Sequence, residues 1–296
     1  MNGALWGSVS AAGWGTADFM ARFSTRALDA RSAYAFVLLI GSLVLTVWVF
    51  ATGLSLTWSW PGLGLALFHG ISIPLMSVLL YAGLARGPVS LVAPIVAAHP
   101  VLVVLFHVAL GQRPGGLDWL AMAAVVIGVL LIARGAEASE PVSEAPAHEQ
   151  TARGARSKRN TTIAIAVGAC IAYAALILSG QAAVPYLGEV QTTWLGRLIG
   201  LSVLLLLFAV RSERPNWPLR WLPFLCLQGL LDMAGYLALL AGSHGHDPAI
   251  TAVVASTFGV VTVLLARVVL KETIKGLQWA ALVLVFGGVA VLAGHA

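Results

Sequence analysis

Residues 88–134, PVSLVAPIVAAHPVLVVLFHVALGQRPGGLDWLAMAAVVIGVLLIAR, align with residues 248–294, PAITAVVASTFGVVTVLLARVVLKETIKGLQWAALVLVFGGVAVLAG, without a gap when the chain is shifted by 160 positions. The alignment pairs Pro88 with Pro248, Leu110 with Leu270, Trp119 with Trp279 and Gly128 with Gly288. One position earlier in register, Gly70 meets Gly229 and Ile40-Gly41 meets Ile199-Gly200. The chain is therefore interpreted as two copies of one structural unit.

Each copy contains five apolar segments, and each segment approaches the roughly 20 residues that a membrane-spanning helix needs. The ten predicted spans are residues 4–21, 32–53, 62–84, 88–110, 116–134, 161–181, 189–210, 219–241, 248–270 and 276–294. Because five is odd, the second copy enters the membrane from the opposite side. The predicted fold is an all-α integral membrane protein with ten transmembrane helices arranged as two inverted five-helix repeats.

The composition excludes most soluble classes of protein. The 296 residues are 59% hydrophobic and only 10% charged, with a mean hydropathy of +0.91, whereas soluble domains carry about 25% charged residues. The net charge of +5 does not indicate a nucleic-acid partner, because the basic residues lie in short loops and form no stripe. The expected surroundings are a lipid bilayer.

The distribution of basic residues predicts the orientation. Of the 17 Lys and Arg residues, 15 lie at or near one side, while Arg113 lies on the other side and Arg197 lies inside a span. The positive-inside rule then puts the loop between spans 1 and 2, and every second loop after it, in the cytoplasm. Both termini would face outward from a multi-pass protein of the cell's inner membrane.

Residues 135–160 differ from the rest of the chain, since they are rich in Ala, Glu and Ser and contain no aromatic residue. This composition predicts a disordered cytoplasmic linker. It separates a first repeat, residues 1–134, from a second repeat, residues 161–296.

Charged residues inside spans are the candidates for function, because each costs roughly 2.5–3.5 kcal/mol at a helix centre. Asp232 lies in the middle of span 8, on one helical face with Gln228 and Tyr236, so we expect this face to look onto a cavity. Arg197 in span 7 lies at about 10–12 Å depth and Asp232 at about 15 Å. Either the two form a salt bridge, or Arg197 binds a substrate carboxylate or phosphate.

Span 1 carries a second acid, Asp18, on one face with Trp14. Asp18 is interpreted either as a functional carboxylate or as the partner of Arg22, four residues later. His69 and His99 are interpreted as buried neutral histidines or as cavity-lining residues. Aromatic residues that could form a cavity wall are Trp14, Tyr81, Tyr173 and Tyr236. The predicted substrate-binding and transport residues are Trp14, Asp18, His69, Tyr81, His99, Arg197, Gln228, Asp232 and Tyr236.

Several short motifs resemble the drug/metabolite transporter superfamily, and specifically its EamA-like ten-helix branch. They are Trp6-Gly7, Pro100 followed by Gly111-Gln112-Arg113, and Leu270-Lys271-Glu272. Two departures are Gln112, where that family often has Glu, and Gly259-Val260, where the second copy lacks the proline. The resemblance implies secondary transport of metabolites or drugs, frequently export. Small multidrug transporters of the superfamily use an acid in the first helix for proton coupling, which would fall to Asp18.

The predicted function is secondary transport of a small metabolite or drug-like molecule, as an exporter that works by alternating access between the repeats. The rival is a membrane-embedded enzyme acting on a lipid-linked substrate, but the sequence contains no HExxH, GxSxG or P-loop motif. A scaffold that transports nothing is the third interpretation. We expect no cofactor and no metal; Cys170 and Cys226 are isolated in apolar runs. Expected partners are a small-molecule substrate, protons as a candidate coupling ion and the bilayer, in a monomer or homodimer.

Overall fold

The computed structural model describes residues 3–86, 95–96, 98–137, 149–216, 219–243, 248–270 and 276–295. Within these ranges the chain is helical, with one 3-10 turn at Leu219–Trp221 and no strand. The helices are α1 (Gly3–Ala27), α2 (Ala30–Thr52), α3 (Trp60–Arg86), α4 (His99–Ala109), α5 (Gly116–Glu137), α6 (Glu149–Val210), α7 (Leu222–Ser243), α8 (Pro248–Ala255), α9 (Phe258–Leu270) and α10 (Gly276–His295).

Five segments of the described chain are long and apolar enough to cross a membrane. They are Ala30–Thr52, Trp60–Leu80, Asn160–Val210, Leu219–Ser243 and Pro248–Val269. The segment Asn160–Val210 has 51 residues, and at about 1.5 Å per residue it is longer than two bilayer cores of about 30 Å. These segments make the chain an integral membrane protein.

Helix α6 contains both the sixth and the seventh predicted spans. It passes Pro185 and bends at Gly188, whose φ of 73° and ψ of 167° are not helical. A side chain would strain this backbone conformation, and glycine adopts it freely. The two predicted spans are therefore two helical segments, residues 149–187 and residues 189–210, that meet at the non-helical residue Gly188.

The predicted linker is shorter than 135–160 in the described chain. Helix α5 continues to Glu137, and α6 already begins at Glu149. Residues 138–148 lie outside the described ranges. The start of α6 is rich in Ala, Arg, Gln and Lys, which are strong helix formers, so a polar composition there is compatible with helix.

The turn between α1 and α2 is fixed by a side-chain cap. Asp29 accepts hydrogen bonds from the backbone N–H of Ser32 at 3.0 Å and from its hydroxyl at 2.5 Å. Burial by itself raises the pKa of Asp29, but these hydrogen bonds outweigh it and hold the pKa below its ordinary value of 3.8. Asp29 thus supplies a hydrogen-bond acceptor for one of the backbone N–H groups that have no partner within the first turn of α2.

The fourth and ninth predicted spans are both interrupted, at nearly equivalent positions of the two halves. The turn at Ala98 precedes α4, and the turn at Ser256 and Thr257 separates α8 from α9. In the first half, Pro100 accounts for a helix start, because proline is favoured in the first turn. The second half has no proline there, so the second interruption needs another cause.

Hydroxyl groups supply that cause. The side chain of Ser256 donates to the Val253 carbonyl at 2.6 Å, and that of Thr257 donates to the Val254 carbonyl at 2.8 Å. Such local bonds compete with the backbone ladder of a helix. The departure at Gly259-Val260 therefore does not remove the interruption of the ninth span.

The halves pack through pairs of equivalent close contacts at glycines. A Cβ atom on Gly70 would lie 2.5 Å from Cβ of Ile199, and one on Gly229 would lie 2.9 Å from Cβ of Ile40. In the 159-residue register Gly70 corresponds to Gly229 and Ile40 to Ile199, so each contact is the repeat counterpart of the other. The 160-residue register does the same for the contacts of Gly128 with Val285 and of Gly288 with Val125. Because glycine has no side chain, the helices can approach closely at these positions.

Candidate functional site

A cavity of about 370 Å³ lies where α1, α2, α3, α6, α7 and α9 meet. Its volume is within the range of small-molecule sites. It brings together eight of the nine predicted site residues: Trp14, Asp18, His69, His99, Arg197, Gln228, Asp232 and Tyr236. The ninth, Tyr81, is in α3, but its side chain lies outside the described part of the structure. The eight come from both halves of the chain.

Arg197 and Asp232 form an ion pair at the wall of this cavity. Nη2 of Arg197 donates to Oδ2 of Asp232, and Nη1 donates to the Val37 carbonyl at 3.5 Å. The Arg197 side chain is 5% exposed, against 22% for Asp232. Space for the guanidinium comes from Gly41, where a Cβ atom would lie 2.5 Å from Nη1. Of the two sequence-based interpretations, pairing is the arrangement observed.

Asp18 lines the same cavity from the second half of α1, and it is exposed. Its carboxyl group and that of Asp232 face the same cavity. The side chain of Arg22, its alternative partner, lies outside the described part of the structure. The charged residues among the described lining are thus two carboxylates and one guanidinium, with the guanidinium already paired.

His69 is held in one orientation by its neighbours. Its Nδ1 lies 3.0 Å from the Leu176 carbonyl and 3.3 Å from the Tyr236 hydroxyl, and its ring stacks on that of Tyr236 at 5.1 Å. A carbonyl can only accept, so Nδ1 carries the proton. Nε2 is buried with no hydrogen-bond partner in the structure, which fits a neutral ring that offers a lone pair.

Six aromatic rings form a continuous series along the cavity, here called the aromatic belt. Consecutive centroid distances are 4.0 Å, 6.4 Å, 6.0 Å, 5.9 Å and 5.1 Å for His99, Tyr173, Phe258, Trp14, Tyr236 and His69 in that order. All six residues line the cavity. They belong to both halves of the chain, so any movement of one half against the other changes the belt.

Polar contacts join the halves at the other end of the helices. Gln191 accepts from the Thr57 N–H at 2.9 Å and donates to the Thr57 carbonyl at 2.7 Å. His107 bonds Gln181 at 2.9 Å. Thr57 follows α2, whose first turn is beside Asp18 on the cavity side, so these contacts lie away from the α1–α2 turn. We call the Thr57–Gln191 and His107–Gln181 contacts the clasp.

Sequence reasoning did not select several lining residues, among them Tyr34, Thr193, Ser256 and Phe258. The internal repeat contained a signal for some of them. Tyr34 and Thr193 are equivalent in the 159-residue register, as are Trp14 and Tyr173. Tyr173, predicted as a residue of the aromatic wall, does line the cavity. Nothing in the sequence marked Phe258, because an apolar aromatic residue in a span is ordinary.

The described residues include no group of three or more His, Cys, Asp or Glu side chains placed to hold a metal ion. Cys170 is buried, Cys226 is half-buried, and both are free thiols. The means of binding that the cavity offers are therefore charge, aromatic faces and hydrogen-bond acceptors.

Comparisons with known proteins agree with this architecture. A solved structure titled "Crystal structure of protein" is 21% identical, covers 99% of each chain and superposes with a TM-score of 0.77, which shows a shared fold. No curated protein matches. The EamA-like transporter family matches residues 1–134 and 160–294, nearly the whole chain. The chain therefore belongs to the EamA-like transporter family.

Proposed function

We propose that this protein is a secondary transporter that exports a small metabolite or drug-like molecule across the cell's inner membrane. The observation that carries the proposal is the cavity, which combines charged, aromatic and polar side chains from both halves of the chain. Charged groups inside a membrane protein are costly unless they serve a pathway or a pair. Here one carboxylate, Asp18, faces the cavity in addition to the Arg197–Asp232 pair.

The proposed architecture is ten membrane crossings in two inverted five-helix repeats, residues 1–134 and 161–296. The reciprocal glycine contacts support it, since a two-fold relation between the halves generates contacts in equivalent pairs. The interruptions of the fourth and ninth spans, at nearly equivalent positions of the two halves, support it as well. Inverted repeats commonly place discontinuous helices beside the substrate near the bilayer midplane.

The position of the cavity relative to the clasp supports alternating access. In the proposed topology the α1–α2 turn is cytoplasmic, so the cavity lies towards the cytoplasm and the clasp lies towards the outside. A substrate would enter from the cytoplasm, and release would require the clasp to open. The clasp consists of a few hydrogen bonds, each worth about 0.5–1.5 kcal/mol net, so its opening is energetically accessible.

Protons are the proposed coupling ion, with Asp18 as the group that carries them. Its exposure to the cavity supports this assignment, because a coupling carboxylate must exchange with solvent. The protein would act in the bilayer as a monomer or homodimer, with the linker cytoplasmic and both termini outside.

The test is flux of labelled candidate molecules into proteoliposomes with and without a pH gradient. Candidates come from a thermal-shift screen of metabolites on purified protein. We expect gradient-dependent flux that Asp18→Asn abolishes and that Asp118→Asn, at the start of α5 outside the cavity, leaves intact. Chemical conversion of the molecule without flux would support an enzyme, and binding with neither flux nor conversion would support a scaffold.

A further inference from the structure

We propose that the cavity selects monovalent organic cations, with a protonated nitrogen beside Asp18 and an apolar or aromatic body against the aromatic belt. This inference rests on the proposed function, because it takes the cavity as the substrate site. Three independent features carry it: the charge of the described lining, the faces of the belt and the unpaired Gln228 oxygen.

The charge balance of the described lining is negative. Arg197 is the one cation among the described lining residues, and it is engaged by Asp232 and by the α2 carbonyl of Val37. Nε of Arg197 is buried without a hydrogen-bond partner, but the side chain is nearly fully covered, so it offers little to an anionic substrate. Asp18 remains as an exposed carboxylate on the cavity wall. A bound monovalent cation brings the sum of these charges to zero, whereas an anion increases the imbalance.

The aromatic belt favours the same sign of charge. The faces of Trp and Tyr rings carry negative potential and attract an ammonium group within about 6 Å. Trp14 lies one helical turn before Asp18 on the same face of α1, so a ring and a carboxylate can bind one nitrogen together. The remaining rings offer an extended apolar surface for the body of the molecule.

One buried acceptor in the lining, Oε1 of Gln228, has no donor. It lacks a hydrogen-bond partner in the structure, and the residue is only 5% exposed. Nε2 of His69 is unpaired as well, but that edge of its ring packs against Gly196 and does not face a ligand. Leaving a buried acceptor unpaired is unfavourable. A ligand that carries an N–H donor satisfies Oε1 of Gln228, and a carboxylate does not. A protonated amine therefore fits better than an acid of the same size.

The experiment compares three probes of similar size and different charge: 2-phenylethylammonium, 2-phenylethanol and 3-phenylpropanoate. Binding is measured by calorimetry on the full chain in nanodiscs of phosphatidylcholine, which avoids anionic lipid that would itself attract the cation. We expect the ammonium probe to bind at least about tenfold more tightly than the alcohol, since one cation–π contact and one ion pair suffice for that ratio. The carboxylate probe should bind most weakly.

Two variants then test whether the preference for the ammonium probe arises at Asp18. Asp18→Asn should remove the advantage of the ammonium probe over the alcohol, and the control Asp118→Asn should keep it. Equal binding of cation and alcohol to the wild type, or tightest binding of the carboxylate, overturns the proposal without any variant. An unchanged preference in Asp18→Asn overturns it too. Because the readout is binding, failure here leaves the flux test of transport as a separate result.

Discussion

The Arg197–Asp232 pair allows a quantitative test, because its members are buried to different extents. Replacing Asp232 with Leu strands a guanidinium that is 5% exposed, and removing one partner of a buried pair costs about 3–5 kcal/mol. Replacing Arg197 with Leu strands a carboxylate that is 22% exposed and faces the cavity. Water in the cavity can hydrate that carboxylate, so we expect a smaller loss, about 1–3 kcal/mol.

The double variant Arg197→Leu with Asp232→Leu should recover most of both losses, because replacing a whole buried pair by apolar groups is often nearly neutral. The assay is thermal unfolding of the four proteins in one detergent. We expect the lowest melting temperature for Asp232→Leu, then Arg197→Leu, with the double variant closest to the wild type.

A matched control is the partly exposed pair of Arg31 and Glu213, whose side chains are 33% and 39% exposed and whose Nη1 and Oε2 atoms lie 2.6 Å apart. Exposed pairs contribute about 0–1 kcal/mol, so the same set of Leu variants there should show little coupling. Losses that simply add in the Arg197–Asp232 double variant would refute the reasoning. So would a larger loss in Arg197→Leu than in Asp232→Leu.

Three further changes test other parts of the structure. Gly196→Ala should lower stability by about 1–3 kcal/mol, seen as a lower melting temperature, because the new Cβ would overlap the His69 ring. Gln191→Leu removes both bonds to Thr57, so hydrogen–deuterium exchange of residues 54–59 should accelerate. Asp29→Ala should cost about 0.5–2 kcal/mol at neutral pH. The pKa of Asp29 in the folded protein lies below the unfolded value of 3.8. The stabilisation by the ionised cap is therefore complete well above pH 3.8 and is lost as the carboxylate is protonated at lower pH. The difference in stability between Asp29→Ala and the wild type should shrink between about pH 5 and pH 3.

Each change has a control or a contradicting result. A Cβ atom on Gly64 meets nothing within 4 Å, so Gly64→Ala should leave the melting temperature within error, and equal losses at Gly64 and Gly196 would contradict the packing argument. Unchanged exchange after Gln191→Leu would exclude the clasp as a restraint on that loop. A pH-independent loss in Asp29→Ala would exclude an ionised cap.

The sequence was sufficient to predict an all-helical membrane protein and the charged residues that line the cavity. Polar residues are rare inside spans, so Asp18, Arg197 and Asp232 stand out against an apolar background. Helical periodicity then grouped Gln228 and Tyr236 with Asp232 on one face. The depth estimate for Arg197 and Asp232 anticipated their contact, because straight helices convert residue number into distance.

Other features depend on the packed structure and leave little trace in sequence. The helix of the sixth span continues beyond residue 181, where the sequence predicted its end, and stops only at Gly188. The interruption at Ser256 and Thr257 comes from hydroxyl bonds to the backbone, which many Ser and Thr residues in helices also make without a break. Phe258 joins the belt only through packing between helices distant in sequence.

The most direct test of alternating access is the accessibility of one cavity residue from each side of the membrane. Met76, which lines the cavity, is changed to Cys in a chain without Cys170 and Cys226, and sealed vesicles of known orientation receive an impermeant maleimide on either side. Thr57→Cys and Gln191→Cys are then added, and a reducible cross-linker between them holds the clasp closed. The cross-linker is applied while the cysteine of Met76→Cys is protected. We predict labelling from both sides with the clasp free and from the cytoplasmic side alone with it cross-linked. Outer-side labelling that persists after cross-linking, or that never occurs with the clasp free, would contradict the account.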